Sequence, residues 1–216
     1  PSVLVGDFLY SRAFQMMVAV GDMSIMKILS DTTNLISEGE VQQLINAKKP
    51  DISEKGYFEV IHKKTAILFE AACETAATLS GAEETLRRQL TAYGYHVGIA
   101  FQLIDDALDY TGNTEELGKN VGDDLAEGKP TLPLIYAMSN SSEEQSAIIA
   151  DSIRNGDKSQ LSQIINIIRD SGALDYTLNL AKEHAMSAIK TLDALPDSTY
   201  KQAMIDLAEF SISRSN

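Results

Sequence analysis

Cysteine is almost absent from this sequence, and Cys73 is the only one. A single cysteine argues against an intrachain disulfide and against a cysteine-based metal site, and we expect a protein of the reducing cytoplasm. Positive charge is also scarce, since 18 Lys and Arg stand against 31 Asp and Glu and give a formal net charge of -13. We therefore expect no sequence-independent binding of nucleic acid and no electrostatic docking on an anionic membrane, because both need clustered Lys and Arg.

The sequence lacks an uninterrupted apolar run of the roughly 18 residues that a membrane-spanning helix requires. We therefore expect no stable membrane insertion. Residues 1–7 have neither the charged start of a signal peptide nor an initiator Met, and they open inside an apolar pattern. From this beginning we expect a chain that has been cut from a longer one.

Apolar residues recur at spacings of three and four, Gly and Pro are sparse, and β-branched residues do not alternate. This pattern predicts an almost entirely α-helical protein. The predicted helices have approximate limits of 3–29, 32–47, 54–79, 82–110, 132–138, 143–155, 158–171, 173–195 and 198–212. Residues 115–130 contain four Gly or Pro and predict a loop. No segment resembles a linker long enough to divide domains, so one α-helical domain over residues 1–216 is predicted.

Three carboxylates stand within five residues near the end of the predicted helix 82–110, at Asp105, Asp106 and Asp109. Residues three and four apart are neighbours on a helix, so Gln102, Asp105 and Asp109 share one stripe. The arrangement is unfavourable by itself, because like charges repel and the helix dipole disfavours each anion near a C-terminus by roughly 0.3–1 kcal/mol. A divalent cation would make it favourable, since Mg2+ prefers carboxylate oxygens and retains water and substrate phosphates as its other ligands. We therefore predict that the three carboxylates form a magnesium site.

Two adjacent lysines in the predicted helix 54–79 lie on different faces. Lys63 shares a stripe with Glu59, four residues earlier, and we predict that it faces water. Lys64 and Thr65 instead lie on the apolar stripe of the same helix. A lysine on an apolar face either extends its ammonium group to the surface or directs it at a bound anion. Spacing alone leaves both interpretations open.

The predicted loop after the aspartates carries Lys119 and Lys129. Ammonium groups beside a carboxylate–metal cluster suit the binding of a diphosphate, because the metal neutralises its oxygens on one side and the lysines do so on the other. Two solvated loop lysines are the open alternative. Asp123 and Asp124 are candidate further ligands, although acidic loop residues are usually turn formers or partners of lysines.

Other catalytic patterns are weak in this sequence. His62, His96 and His184 stand alone, without the spacing of a metal-binding pair such as HExxH, and we expect structural or exposed roles for them. The glycine-bearing loop lacks the GxxxxGK[ST] spacing of a P-loop. No Ser, His and Asp grouping indicates a catalytic triad.

Together these residues resemble the trans-polyprenyl diphosphate synthases. The segments that carry the resemblance are VLVGDFL at 3–9, EGE at 38–40 with Gln43, KT at 64–65, GIAFQLIDDALDY at 98–110 and GKNVGDDLAEGKPTLP at 118–133. The resemblance covers nearly the whole chain, and its most specific part is the aspartate motif with the GK and GKPTLP segments that follow. Within this family, the sequence most resembles the bacterial members that make the octaprenyl side chain of quinones.

The resemblance implies an all-α fold of the isoprenoid-synthase type and a homodimer. It implies a prenyltransferase that condenses isopentenyl diphosphate head-to-tail onto an allylic diphosphate, with Mg2+ held between two aspartate motifs helping the allylic diphosphate to depart. Asp105, Asp106 and Asp109 match the second aspartate motif, with Asp105 as the direct ligand. The residues that match catalytic or diphosphate-binding positions are Lys64, Thr65, Gln102, Lys119 and Lys129.

In the family, the first aspartate motif and the residues that hold isopentenyl diphosphate lie upstream of VLVGDFL. These 216 residues therefore hold half of the implied magnesium site, and we predict that they do not elongate prenyl chains alone and bind magnesium weakly or not at all. Two alternatives remain open. A class I terpene cyclase shares the helical fold and would release a cyclic hydrocarbon, whereas a non-catalytic partner subunit or dimerisation module would explain the missing motif. Product length is not determined by these residues, because in the family it depends on positions before the first motif.

Overall fold

Helices account for most of the chain in the computed structural model, which describes residues 2–111 and 121–213. No β-strand occurs within those two ranges, and the all-α prediction is confirmed. The helices are α1 (Ser2–Val20), α2 (Met23–Asn46), α3 (Glu54–Ile61), α4 (Ile67–Leu79), α5 (Glu84–Thr111), α6 (Asp123–Ala126), α7 (Leu132–Ser139), α8 (Glu143–Asn155), α9 (Leu161–Asp170), α10 (Ala173–Thr191) and α11 (Thr199–Ser213). A π-helical turn, His62–Ala66, joins α3 to α4, and a 3-10 turn, Leu192–Ala194, follows α10.

The limits predicted for the first two helices are wrong, because the break between them lies at Gly21 and not near residue 30. Gly21 adopts a φ of +73°, a left-handed conformation that glycine tolerates. The next residue, Asp22, caps α2 by accepting a hydrogen bond from the Ser24 backbone N–H at 2.8 Å. Thr32 does not start a helix, because its hydroxyl donates to the Ile28 carbonyl at 2.7 Å and α2 continues through it.

The helix predicted over residues 54–79 is continuous, but its middle, His62–Ala66, is a π-helical turn. A π turn accommodates one extra residue, which rotates the following side chains relative to the preceding ones. Lys63 consequently pairs with Glu38 of α2, with 3.5 Å between Nζ and Oε2, and not with Glu59 as its spacing suggested. Its side chain is 33% exposed, so it lies at the surface as predicted, with a different partner.

Glycines allow neighbouring backbones to approach closely around the π turn. A Cβ added at Gly98 of α5 would lie 2.5 Å from the Cα of Ala66, and one added at Gly94 would lie 2.4 Å from the Phe69 carbonyl oxygen. Gly39 of α2 makes a similar approach to the π turn, where an added Cβ would come within 2.9 Å of it. Real Cβ atoms do not occupy such distances, so α2 and α5 pack closer to this segment than helices with side chains at these positions allow.

Gly98→Ala is expected to destabilise the chain by about 3 kcal/mol, because the added methyl group overlaps backbone that cannot move without shifting the π turn. Urea unfolding followed by circular dichroism measures the change. Gly6→Ala in α1 is the matched control, since an added Cβ there meets no atom within 4 Å. We expect it to leave stability unchanged or to raise it by about 0.5–1 kcal/mol. Equal stabilities of the two variants would contradict the close packing of α5.

Helix α5 lies at the centre of the fold and packs most extensively against α4 and α10. Its side chains Ile99, Leu103 and Ile104 are at most 1% exposed, and they pack with Leu132 of α7 and Ala181 of α10. Burying a side chain of this size stabilises a protein by about 1.5–3 kcal/mol. The helix that carries the three aspartates is therefore firmly held, which fixes the positions from which the carboxylates extend.

Helix α1 differs from the others, because apolar side chains are exposed along most of its length. Within it Met17 is the one buried residue, and its exposed large apolar residues are Val3, Leu4, Val5, Phe8, Leu9, Tyr10, Phe14, Met16, Val18 and Val20. By length and composition α1 could cross a membrane, with a mean hydropathy of 1.3 and 6% of the segment buried. Asp7 and Arg12 interrupt its apolar residues, so α1 contains no uninterrupted apolar run of that length. Core helices of soluble proteins meet the same criterion, and an exposed apolar surface of this extent indicates an interaction site.

Candidate active site

A pocket of about 220 Å³ lies between α2, α3, the π turn, α5 and the segment that follows Asp124. Both polar and apolar side chains line it: Gln43, Asn46, Ile52, Tyr57, Val60, Ile61, Lys64, Thr65, Gln102, Asp105, Asp106, Asp124, Lys129, Pro130 and Thr131. Six of the eight predicted site residues are among them. Of the other two, Asp109 does not line the pocket, and Lys119 lies outside the described residues.

A chain of hydrogen bonds runs along one wall of the pocket, from Tyr57 in α3 to Thr65 in the π turn. Asp106 Oδ2 accepts from the Tyr57 hydroxyl at 2.6 Å, and Asp106 Oδ1 accepts from Gln102 Nε2 at 2.8 Å. Gln102 Oε1 in turn accepts from the Thr65 hydroxyl at 2.9 Å. An ionised carboxylate can only accept hydrogen bonds, so Asp106 in its ionised form sets the direction of this whole series of hydrogen bonds. The Thr65 proton is thereby directed at Gln102, and the lone pairs of the hydroxyl remain for the pocket.

Asp106 is buried, with 3% of its surface exposed. Burial, and after it the negative charge of Asp124, raises the pKa of Asp106 to about 7, although the hydrogen bonds from Tyr57 and Gln102 favour its charged form. Burial and the neighbouring Asp106 charge raise the pKa of Tyr57 well above its ordinary value, so the phenol remains a donor. A carboxylate whose ionisation is this unfavourable is one that a cation in the pocket would stabilise.

Asp109, predicted as a metal ligand, is engaged by backbone N–H groups at the start of α6. The N–H groups of Asp123 and Asp124 donate to its Oδ1 and Oδ2 at 3.1 and 3.2 Å, which satisfies donors that a helix N-terminus leaves unpaired. Burial, and after it the Asp124 charge, raises the pKa of Asp109 to about 6. Asp123 directs its own carboxylate at Lys158, with 2.6 Å between Oδ1 and Nζ. Asp109 therefore holds the segment that carries Asp124 against α5.

The three aspartates of the motif do not converge on one point. Asp105 lines the pocket, Asp106 is satisfied by the hydrogen-bond chain, and Asp109 holds α6. In the described part of the chain, no group of three or more His, Cys, Asp or Glu side chains is arranged to hold a metal ion by itself. Mg2+ retains several waters and usually binds through one or two carboxylates and substrate phosphates. A site of that kind needs no more than Asp105 and Asp124, which both line the pocket.

Lys64 supplies positive charge on the α2 side of the pocket. Its Nζ donates to Gln43 Oε1 at 2.6 Å and lies 3.2 Å from Glu40 Oε1. Half of the Glu40 side chain is exposed, so this ion pair stabilises the protein by about 1 kcal/mol or less. An anion in the pocket can therefore replace Glu40 at small cost. This favours the interpretation in which Lys64 directs its ammonium group at a bound anion over the one in which it extends that group to the surface.

Lys129 supplies positive charge from the segment that follows α6. Its Nζ lies 2.9 Å from Asp124 Oδ1 and 2.7 Å from Glu127 Oε2. Burial lowers the pKa of Lys129, but the hydrogen bond to Glu127 and the charge of Asp124 together raise it above its ordinary value. The ammonium group therefore stays charged, and it lies beside a carboxylate that faces the same pocket.

The residue patterns in the sequence gave no role to Tyr57 or to Glu40. Tyr57 is 49 residues from Asp106, and an aromatic residue on an apolar stripe is usually core, so no local signal identifies it. Glu40 and Gln43 are three residues apart on α2 and therefore share a face. That shared face is the one sign in the sequence that Glu40 and Gln43 could contact the same partner, which in the structure is Lys64.

The chain is similar to known proteins over nearly its whole length. Residues 1–168 match the model of the polyprenyl synthetase family. The chain is 49% identical over 215 residues to an octaprenyl diphosphate synthase of Haemophilus influenzae. It is also 49% identical over 213 residues to an all-trans-nonaprenyl-diphosphate synthase (geranyl-diphosphate specific) of Rhodobacter capsulatus. Each match covers 99% of this chain and 65% of the relative.

Among solved structures, a polyprenyl synthase from Caulobacter crescentus, complexed with calcium and isoprenyl diphosphate, superimposes on this chain with a TM-score of 0.93. The two sequences are 42% identical, and the match covers 100% of this chain and 66% of that one. The helical architecture is therefore shared with an isoprenoid-synthase fold. The chain spans about 65% of the length of the relatives that it matches.

Proposed function

This chain belongs to the polyprenyl synthetase family, and we propose on that basis that it forms part of a trans-polyprenyl diphosphate synthase. The proposed reaction breaks the C–O bond of an allylic diphosphate and joins its C1 atom to the terminal double-bond carbon of isopentenyl diphosphate. The departing diphosphate accepts the proton that is then lost. We propose octaprenyl diphosphate as the product, which the name of the Haemophilus relative supports, and we further propose that it supplies quinone side chains. The nonaprenyl synthase is equally similar, so product length needs direct measurement.

The observation that carries the proposal is that one small pocket contains both carboxylates and ammonium groups. Asp105 and Asp124 contribute carboxylates to it, and Lys64 and Lys129 contribute ammonium groups. A diphosphate whose negative charge increases as it departs needs both ammonium donors and a cation held by carboxylates. Thr65, which also lines the pocket, donates its hydroxyl proton to Gln102. Its oxygen lone pairs would therefore face the positive charge that develops on the allylic carbon.

The donor set fits magnesium, which we propose as the metal. Asp105 would be the direct ligand, with Asp124 as the second carboxylate available, and waters and diphosphate oxygens would complete the shell. Burial and the Asp124 charge raise the pKa of Asp106, and a cation bound nearby would favour its ionised form. When bound, the ion would neutralise diphosphate oxygens and make diphosphate a better leaving group. The calcium of the Caulobacter complex is likewise a cation that prefers oxygen ligands.

These 216 residues contain one DDxxD motif, at 105–109, and we propose that they do not elongate prenyl chains alone. For the test, the N-terminal part of the Haemophilus synthase, which precedes its region of similarity to this chain, is joined to residue 1. We call the resulting protein the fusion enzyme. Magnesium-dependent incorporation of labelled isopentenyl diphosphate is measured for the chain and for the fusion enzyme, and products are sized by mass spectrometry. We expect linear polyprenyl diphosphate from the fusion enzyme and none from the chain alone.

The other outcomes distinguish the alternatives. A cyclic hydrocarbon from the fusion enzyme would support a class I terpene cyclase. No product from a folded fusion enzyme would support a non-catalytic partner subunit, and either result would contradict the synthase proposal. Incorporation by the 216 residues alone would contradict their proposed inactivity and leave the reaction itself supported.

We propose that α1 forms a homodimer interface. Its exposed apolar surface supports this, and Asp7 and Arg12 oppose membrane insertion because each costs about 2.5–3.5 kcal/mol at the centre of a bilayer. Phe8, which is 66% exposed, lies on this surface. Phe8→Asp is therefore expected to convert a dimer into a monomer in sedimentation velocity experiments, whereas Tyr200→Asp, at an exposed position of α11, is not. A monomeric parent chain, or flotation of the chain with liposomes, would contradict the proposal.

A cytoplasmic location is also proposed. Its support is cysteine usage, since Cys73 has no second cysteine with which to form an intrachain disulfide. Burial raises the pKa of the Cys73 thiol to about 11, so the thiol is also an unreactive one at neutral pH. Fractionation of cells that express the gene encoding this chain tests the location, and we expect the protein in the cytoplasmic fraction.

A further inference from the structure

The three histidines, isolated in the sequence, lie close together in the fold and outside the candidate active site. His62 belongs to the π turn, His96 to α5 and His184 to α10, and none of them lines the pocket. Tyr95 lies among them, with ring centroids 5.3 Å from His62, 5.2 Å from His96 and 6.0 Å from His184. The proposed prenyl transfer gives these rings no role, so the cluster requires a separate explanation.

Within this cluster, His96 and His184 direct the same ring atom at each other, with 3.1 Å between the two Nδ1 nitrogens. At this distance a neutral ring can donate its Nδ1–H to the lone pair of the other. The same distance also suits two ligands of one cation. Two metal–nitrogen bonds of about 2.05 Å that span 3.1 Å enclose an angle of about 98°, between the octahedral angle of about 90° and the tetrahedral angle of about 109°.

The surroundings of the pair keep both rings able to bind a cation. Burial, and after it the neighbouring His96, lowers the pKa of His184 to about 4, and burial lowers the pKa of His96. Both rings are therefore neutral at pH 7, which is the form that binds metal. Both are half-buried, so part of each side chain contacts solvent. Lone pairs that face each other along the line between the two Nδ1 atoms must each turn by about 41° to meet at a common ion, and rotation about χ2, a soft torsion, can supply this.

We propose that His96 and His184 form a binding site for one zinc, nickel or copper ion, with both Nδ1 atoms as ligands and water in the remaining positions. Imidazole nitrogen suits these ions, whereas magnesium and calcium prefer oxygen. The site is therefore chemically separate from the carboxylates of the pocket. A bound ion would cross-link α5, which carries the aspartate motif, to α10. Since the described residues offer no third ligand in a ready cluster, the site is weaker than a four-ligand structural zinc site.

The first test uses the unmodified chain without an affinity tag. Zinc is added to protein labelled with nitrogen-15 at histidine, and the chain offers three histidines to follow. We expect the Nδ1 resonances of His96 and His184 to move together and to saturate at one ion per chain, while those of His62 keep their positions. Magnesium at the same concentrations is expected to move none of them. Zinc shifts that include His62 equally, or that leave His96 and His184 unmoved, would overturn the proposal.

Calorimetry on variants gives the second test. His96→Gln and His184→Gln are each expected to weaken zinc binding at least tenfold, because each removes one of two protein ligands. The controls are His62→Gln, Cys73→Ser and Asp105→Asn. Each alters another side chain that could bind zinc, and each is expected to keep the zinc affinity of the unmodified chain because none of these side chains belongs to the proposed site. Zinc should also raise the melting temperature of the parent chain and not that of the His96 variant. Binding that survives both histidine substitutions, or that is lost with Asp105→Asn, would refute the site whatever the outcome for prenyl transfer.

Discussion

Lys64→Met in the fusion enzyme is expected to lower kcat by about 10²-fold or more, which is the effect of removing one donor that stabilises charge in a transition state. The same substitution one residue earlier, Lys63→Met, is expected to leave kcat unchanged. Both variants remove one ammonium group from the same π turn and leave an unbranched side chain of similar length. The pair therefore separates the loss of a charge at one position from the loss of net charge.

The reason for the difference lies in where each ammonium group is directed. Lys64 lines the pocket, where its Nζ donates to Gln43 at 2.6 Å. Lys63 pairs with Glu38 at 3.5 Å and does not line the pocket. An ammonium group that contacts the departing diphosphate stabilises it more as its negative charge increases, so its removal lowers kcat as well as substrate affinity.

The kinetic comparison measures kcat and KM for the allylic diphosphate and for isopentenyl diphosphate separately. Lys64→Met should raise KM for the allylic substrate in addition to lowering kcat, and Lys64→Arg should restore part of the activity because it restores the charge. Circular dichroism and thermal melting check that the variants fold. Equal losses for Lys63→Met and Lys64→Met would show that the orientation of the π turn has no bearing on catalysis.

Local signals in the sequence were sufficient for much of the helical fold. The helix predicted over residues 143–155 is Glu143–Asn155 in the structure, because Ser142 and Gln145 form a capping box at its start. Gly156 ends it with a φ of +63°. The apolar stripe on which the sequence places Lys64 and Thr65 faces the pocket, since both residues line it. These are features that neighbouring residues determine.

Features that depend on packing between distant segments could not be predicted in this way. The π turn forms where Gly39 and Gly98 bring two other helices against it, and helical spacing within residues 54–79 contains no sign of it. For that reason the predicted pairing of Lys63 with Glu59 was wrong, and Lys63 pairs with Glu38. His96 and His184 are 88 residues apart, so their sequence positions gave no indication of contact. The second aspartate motif was predicted as one cluster, yet tertiary hydrogen bonds give Asp106 a different environment from Asp105.

Asp106→Asn is expected to raise the stability of the chain at pH 8 and to lower kcat of the fusion enzyme by about 10²-fold. The stability effect follows from the pKa of about 7 in the folded state, against an ordinary value of 3.8. A carboxyl group with a raised pKa binds its proton more tightly when folded, so its contribution to stability is present at low pH and is lost as the pH rises through about 7. At 1.36 kcal/mol per unit the loss at pH 8 is at most about 4 kcal/mol, and a neutral amide avoids it.

The kinetic effect follows from the direction of the hydrogen bonds. A carboxylate can only accept, whereas the amide of an asparagine can also donate. With Asp106→Asn, Gln102 can turn over, so that its oxygen accepts from the new amide and its Nε2 faces Thr65. The Thr65 hydroxyl then accepts that bond and is free to direct its proton at the pocket. Positive ends of N–H and O–H dipoles would face the developing allylic cation, where oxygen lone pairs face it in the parent protein.

Urea unfolding between pH 4.5 and 8.5 measures the stability effect. The parent chain should lose stability relative to Asp106→Asn as the pH rises, with most of the difference established between about pH 5 and 7.5. Tyr57→Phe is the control for the kinetic effect, because it removes one donor to Asp106 without allowing the chain of hydrogen bonds to reverse. It is expected to cost about 1.5–3 kcal/mol of stability and to retain at least tenfold more activity than Asp106→Asn. If both variants slow the fusion enzyme equally, the direction of the hydrogen bonds is not what Asp106 contributes.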